Sequence, residues 1–114
     1  MGAVIQQESG GRPGAIGPMT PYGQAQGETQ MLPATAQAMA KKLGVDWRSD
    51  LMTGTSPQAA AYQDALGRAY LNEGLAATGN MHDALRYYHG GPNRRMWGPK
   101  TNAYAASVMA RMGG

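Results

Sequence analysis

Ser56-Pro57-Gln58-Ala59-Ala60-Ala61-Tyr62-Gln63-Asp64-Ala65-Leu66-Gly67-Arg68-Ala69-Tyr70, continuing to Thr78, is the stretch of this 114-residue chain that sets its fold class. Ser56 offers an N-cap hydroxyl, and Pro57 fits the first turn, where its missing N–H has no partner to lose. From there Ala59, Tyr62, Leu66, Ala69 and Tyr70 recur at three- and four-residue spacing, the stripe of one long helix. On the C-terminal side, Asn80-Met81-His82-Asp83 resembles a capping arrangement. It opens a short helix with inner face Met81, Ala84, Leu85 and Tyr88, broken by Gly90-Gly91-Pro92. A last helix is expected from about Pro99 to Met112, with Tyr104, Val108 and Met112 aligned. On the N-terminal side, Pro33 opens a helix striped by Leu32, Ala36, Met39 and Leu43 and ended by Gly44. Residues 10–29 hold many Gly and Pro without apolar periodicity and read as a long structured loop. No strand alternation appears. The sequence therefore predicts a single all-α domain over residues 1–114.

Composition narrows the chemistry. There are nine Met, no Phe and no Cys, so the core is adaptable and neither disulfides nor thiolate metal sites can form. Two histidines, His82 and His89, are too few for a His-based zinc site without carboxylate help, and no metal or cofactor is expected. No apolar run approaches the ~20 residues that span a bilayer, and no secretory signal opens the chain; no membrane partner is expected. The formal net charge is +3, and after Asp83 there is no acid while Arg86, Arg94, Arg95, Lys100 and Arg111 follow. This suits an anionic partner, or equally a basic face kept for solubility. Aromatic and basic residues are not interleaved, so a nucleic-acid partner is not expected. As an isolated domain the chain is expected to be monomeric.

Four clusters can carry chemistry: Glu8-Ser9, Gly27-Glu28-Thr29-Gln30, Tyr87-Tyr88-His89-Gly90-Gly91-Pro92, and Thr101 to Tyr104. In Ala3-Val4-Ile5-Gln6-Gln7-Glu8, Val4 and Glu8 are four apart and share a face of a helix that Gly10-Gly11 stops. An inward carboxylate at a helix C-terminus is disfavoured as the anion by desolvation and by the macrodipole, which suits a general acid. Tyr88 lies on an apolar stripe, so its ring points inward and its hydroxyl needs a buried partner. Gln30 offers a donor and an acceptor before an apolar helix. Gly27 allows close backbone approach or simply makes a turn.

Together these segments resemble the catalytic domain of soluble-type lytic transglycosylases, a goose-lysozyme-like (SLT) family that cleaves peptidoglycan. Its Glu-Ser motif matches Glu8-Ser9, and its Gly-x-x-Gln-x-x-Pro-x-Thr-Ala motif matches Gly27, Gln30, Pro33, Thr35 and Ala36. Its Ala-Tyr-Asn-Ala-Gly-Pro motif matches Tyr87 to Pro92, and a Thr-x-x-Tyr element matches Thr101 and Tyr104. The ordered set covers nearly the whole chain. The loop, with Gly17-Pro18 and Tyr22 to Gly27, is most similar to phage virion-associated members, which open the cell wall locally. The chain departs from the pattern at His89, where Asn is usual, and at Glu28-Thr29, where an apolar pair is usual. Family members also carry helical sequence ahead of the Glu-Ser helix, which implies a domain cut from a longer protein.

The resemblance implies a lysozyme-like helical fold and a roll of functional residues. Glu8 would protonate the bridging oxygen after N-acetylmuramic acid. The 2-acetamido group would stabilise the cation-like intermediate. Glu8 would then take the C6 hydroxyl proton as a 1,6-anhydro ring closes. Tyr88 would orient Glu8, while Gln30, Ser9, Gly27, His89 and Tyr104 would line the glycan site, Ser9 chiefly by stabilising the helix end. Among the seven acids only Glu28 is placed to pair with Glu8, which keeps hydrolysis of the same bond (a muramidase) as an alternative. A non-catalytic glycan-binding or structural virion module is the alternative of another class.

Overall fold

The computed structural model describes residues 1–21 and 23–113; Tyr22, part of the phage-like loop sequence, and Gly114, the last residue of the expected domain, lie outside the described residues. The chain divides into two compact units, Met1–Ala69 and Tyr70–Gly114.

In the first unit, α1 (Gly2–Ser9) ends at Gly10, whose φ of 66° caps the helix while its N–H returns to the Gln6 carbonyl. Two short strands follow, β1 (Ile16–Thr20) and β2 (Gly23–Gln26), paired antiparallel with Ile16 opposite Gln26 and Thr20 opposite Gly23. This hairpin stands where the sequence reads as loop. Its first strand holds Gly17 and Pro18, four of its five residues are exposed, and it has no apolar face to generate a two-residue rhythm. α2 (Pro33–Leu43) begins on its proline and ends at Gly44 in the left-handed region, as expected. Its buried residues are Ala36, Met39 and Ala40, whereas Leu43 is exposed. A four-residue helix, α3 (Ser49–Met52), brings Met52 into the core.

The long helix α4 (Pro57–Thr78) runs through both units in the chain. Ser56 caps it, its Oγ accepting from the Ala59 N–H at 3.1 Å. Ala59 and Leu66 are buried as the stripe requires. Tyr62 is not a core residue. Its hydroxyl accepts from the Arg48 N–H (3.0 Å) and donates to the Asp46 carbonyl (2.8 Å), pinning the segment before α3. Gln63 takes an interior place instead, with no exposed surface.

In the second unit, α5 (Met81–Gly90) starts on Asn80, whose side chain accepts from the Asp83 N–H at 2.8 Å. Ala84, Leu85, Tyr87 and Tyr88 are buried, while Met81 is half-buried at the edge. A 3-10 turn (Arg94–Met96) leads to α6 (Pro99–Gly113), which buries Thr101, Tyr104, Ala105 and Val108. Met112, expected on that stripe, is exposed. Helices dominate, and the all-α, lysozyme-like class holds, the hairpin being the one departure among the described residues.

Candidate active site

Glu8 occupies the last turn of α1, immediately before the glycines that stop the helix. The sequence places it on an inward face; the structure leaves it half-buried and buries Val4 and Ser9. The reason lies in what each side chain can satisfy. The Ser9 hydroxyl reaches the Glu28 carbonyl at 2.8 Å, with the Ile5 carbonyl at 3.1 Å, and accepts from the Arg12 N–H at 3.2 Å. A neutral hydroxyl so bonded is stable at a depth where a carboxylate would be costly. Ser9 thus ties the end of α1 to the turn that carries Glu28.

That turn, Gly27-Glu28-Thr29-Gln30, is closed by a backbone bridge between Gln26 and Met31. Two of its residues, Gly27 (φ 82°) and Gln30 (φ 51°), sit in the left-handed region. Gly27 makes a close approach to protein: a Cβ would lie 2.9 Å from the Gln63 side chain. Gln30 holds its unfavourable backbone by donating its amide to the carbonyls of Ala15 and Gly27, both at 2.9 Å. Its amide donors are therefore engaged inside the protein.

The organiser of this region is Gln63, which the sequence reading missed. Its Oε1 accepts from the N–H groups of Glu28 (2.8 Å) and Gly14 (3.3 Å). Its Nε2 donates to the carbonyls of Leu51 (2.7 Å) and Gly54 (3.0 Å). One carboxamide thus joins three separate segments to α4. The signal available was its spacing, four residues after Ala59 and three before Leu66, which puts a polar residue on the apolar stripe.

Glu28 itself is buried, only 9% exposed. Burial first, and the nearby Asp64 carboxylate second, raise its pKa above the ordinary glutamate value. Asp64 pairs in turn with Arg68 at 2.6 Å.

In the second unit the other two motifs meet. His89 stacks on Tyr104, ring centroids 4.6 Å apart and 25° from parallel, and its Nδ1 lies 3.0 Å from Thr101 Oγ1. One edge of His89 remains exposed, yet partial burial against α6 lowers its pKa below the usual histidine value. Near neutral pH it is an uncharged hydrogen-bonding ring. Tyr88 is buried as expected and packs on Tyr70 at 5.3 Å between centroids. Tyr87, beside it, donates its hydroxyl to Glu73 Oε2 at 2.7 Å; burial and that acid raise its pKa. Tyr70 is pushed up to about 12 for the same reasons, burial and Glu73. Neither phenol supplies a proton at neutral pH.

Comparison with known families decides what these motifs are. Residues 1–109 match the model of the transglycosylase SLT domain. The chain belongs to the SLT transglycosylase family. A transglycosylase of Enterobacteria phage PRD1 is 38% identical over 106 residues, which are 93% of this chain and 34% of that protein. The chain thus spans about a third of the length of that relative. No solved structure matches it significantly. Against the SLT motifs, the structure brings Ser9, Gly27, Glu28 and Gln30 together in the first unit, and His89, Thr101 and Tyr104 in the second. A groove of about 570 Å³ along α2, lined by Ala34, Gln37, Ala38, Lys41, Val45 and Trp47 among others, contains none of these residues.

Proposed function

We propose that this SLT domain is a peptidoglycan lytic transglycosylase that cleaves the β-1,4 bond after N-acetylmuramic acid and leaves a 1,6-anhydro end. The observation that carries the reading is the family match across residues 1–109, with its Glu-Ser pair standing at a glycine-capped helix end. Glu8 and Tyr88 are the catalytic residues. Glu8 donates a proton to the bridging oxygen as the C1–O bond breaks, and the substrate's acetamido oxygen stabilises the cationic C1. The resulting carboxylate takes the proton of the C6 hydroxyl, whose oxygen closes on C1. No water enters, and one residue serves as acid and then base, so its pKa must lie near the working pH. The SLT motif that Tyr88 matches supports a catalytic role for its phenol. Gly27 and Gln30 in the first unit, and His89 and Tyr104 in the second, hold motif positions that support glycan contact, and Ser9 acts as the tie described above. The similarity to a phage transglycosylase supports a virion role, local opening of the host wall in the periplasm.

Muropeptide analysis by mass spectrometry tests this. Wild-type protein should release 1,6-anhydro ends, and Glu8→Gln should fold normally and release nothing. Lysis by a folded Glu8→Gln protein removes Glu8 from the chemistry. A second reading, muramidase action, is favoured by one observation: the buried Glu28 is a second carboxyl, bonded through its backbone to the residue after Glu8. Reducing ends in place of anhydro ends would establish it.

A further inference from the structure

The turn that carries His89 also builds a cationic surface that the proposed chemistry does not use. Trp97 is fixed on it, its Nε1–H donating to the Gly91 carbonyl at 2.9 Å. Gly90 admits the ring, since a Cβ there would lie 2.7 Å from Trp97 Cδ1. Two guanidinium groups lie over that indole, Arg86 at 4.8 Å and Arg94 at 5.0 Å from the ring centroid. Asn93 shapes the approach by accepting from the Arg95 N–H at 3.0 Å. Arg95 and Lys100, both exposed, flank the stack in the chain. Asp83 answers these cations, 3.0 Å from Arg86 and 3.9 Å from both Arg94 and His82. One carboxylate thus stands against Arg86, Arg94, Arg95 and Lys100. Stacking occupies the face of a guanidinium and leaves its N–H edge; Arg86 turns that edge to Asp83, whereas the more exposed Arg94 can offer it to a planar anion. Met96, 65% exposed between Arg95 and Trp97, adds apolar surface.

We propose that this surface binds the carboxylates of the peptide stems carried by the glycan, so that the domain selects stem-bearing strands. The inference rests on the peptidoglycan reading above. Neutral sugar would need no such cations. A peptide stem supplies both the planar carboxylates that an arginine edge fits and methyl groups for Met96 to cover, whereas a phosphodiester polymer supplies charge without a carboxylate.

The test is binding to teichoic-acid-free sacculi by co-sedimentation, in a Glu8→Gln background so that the wall is not digested. Native sacculi should bind roughly tenfold tighter than sacculi whose carboxyls are amidated with methylamine, as two or three exposed charge contacts would give. Arg94→Gln/Arg95→Gln/Lys100→Gln should lose that preference. If removing Arg94 disturbs folding, Arg95→Gln/Lys100→Gln leaves the indole stack whole and should still halve the preference or more. Equal binding to native and amidated walls, an unchanged preference in both variants, or a preference for teichoic-acid-bearing walls that survives amidation would each overturn the proposal. Binding is read without turnover, so a wild-type protein that fails to cleave would refute the catalytic reading while leaving this one to its own result.

Discussion

Glu28 holds its proton beyond the range of an exposed glutamate because its surroundings oppose the anion. The sign of the linkage follows. A carboxyl whose pKa is higher folded than unfolded contributes stability fully below the unfolded value, near 4.5, and loses that contribution as pH rises through the folded value. Glu28→Gln keeps the shape and removes the titration. Its melting temperature should therefore gain on wild type between pH 4 and 8 and match it more closely below pH ~4. Thermal scans across pH check this; a parallel pair of curves would show that Glu28 is ionised without penalty. The residue scale also shows that a motif position carries structural duties its letters do not reveal. Gly27 and Gln30 were legible as motif positions, but backbone angles and amide partners are not written in a motif. Gly27 makes room for Gln63, and Gln30 locks its own turn.

At the scale of elements, helices were legible where a cap or a break accompanied an apolar stripe. Ser56-Pro57, Asn80, Pro33-to-Gly44 and Gly90-Gly91 each mark a boundary that the structure keeps. The hairpin was not legible, because neither Ile16–Thr20 nor Gly23–Gln26 buries a face and backbone pairing alone leaves no pattern of residue types. Two substitutions test the supports. Asn80→Ala should destabilise by about 1 kcal/mol, since the Asp83 N–H loses its acceptor at the start of α5; chemical denaturation reads it. Gln63→Leu should be far worse, on the order of 3 kcal/mol or more, because the N–H groups of Glu28 and Gly14 and the carbonyls of Leu51 and Gly54 all lose their partner together. A Gln63→Leu protein with near wild-type stability would show that those groups find water or each other.

For the whole molecule the charge balance matters most. The chain carries ten Lys and Arg against seven Asp and Glu, with the acid-free stretch lying after Asp83. No helix among the described residues is long and apolar enough to cross a membrane. The association of a cationic domain with an anionic wall is screened as ions are added. Lysis of purified walls should slow steadily between ~0.01 M and ~1 M salt, while the Debye length falls from about 30 Å to about 3 Å. The ratio of anhydro to reducing ends should stay constant, since the choice between the C6 hydroxyl and water is made after the domain has bound. Turbidity decay and product analysis on the same samples separate the two effects; a rate indifferent to salt would leave the basic surface without a role in capture. The carboxamide of Gln63 has a last consequence. With one side chain clasping three stretches of backbone, any opening that displaces the Gln63 carboxamide forfeits the bonds of all three at once. In hydrogen–deuterium exchange the amides of Gly14 and Glu28, distant in sequence, should therefore surrender their protons in a single correlated event.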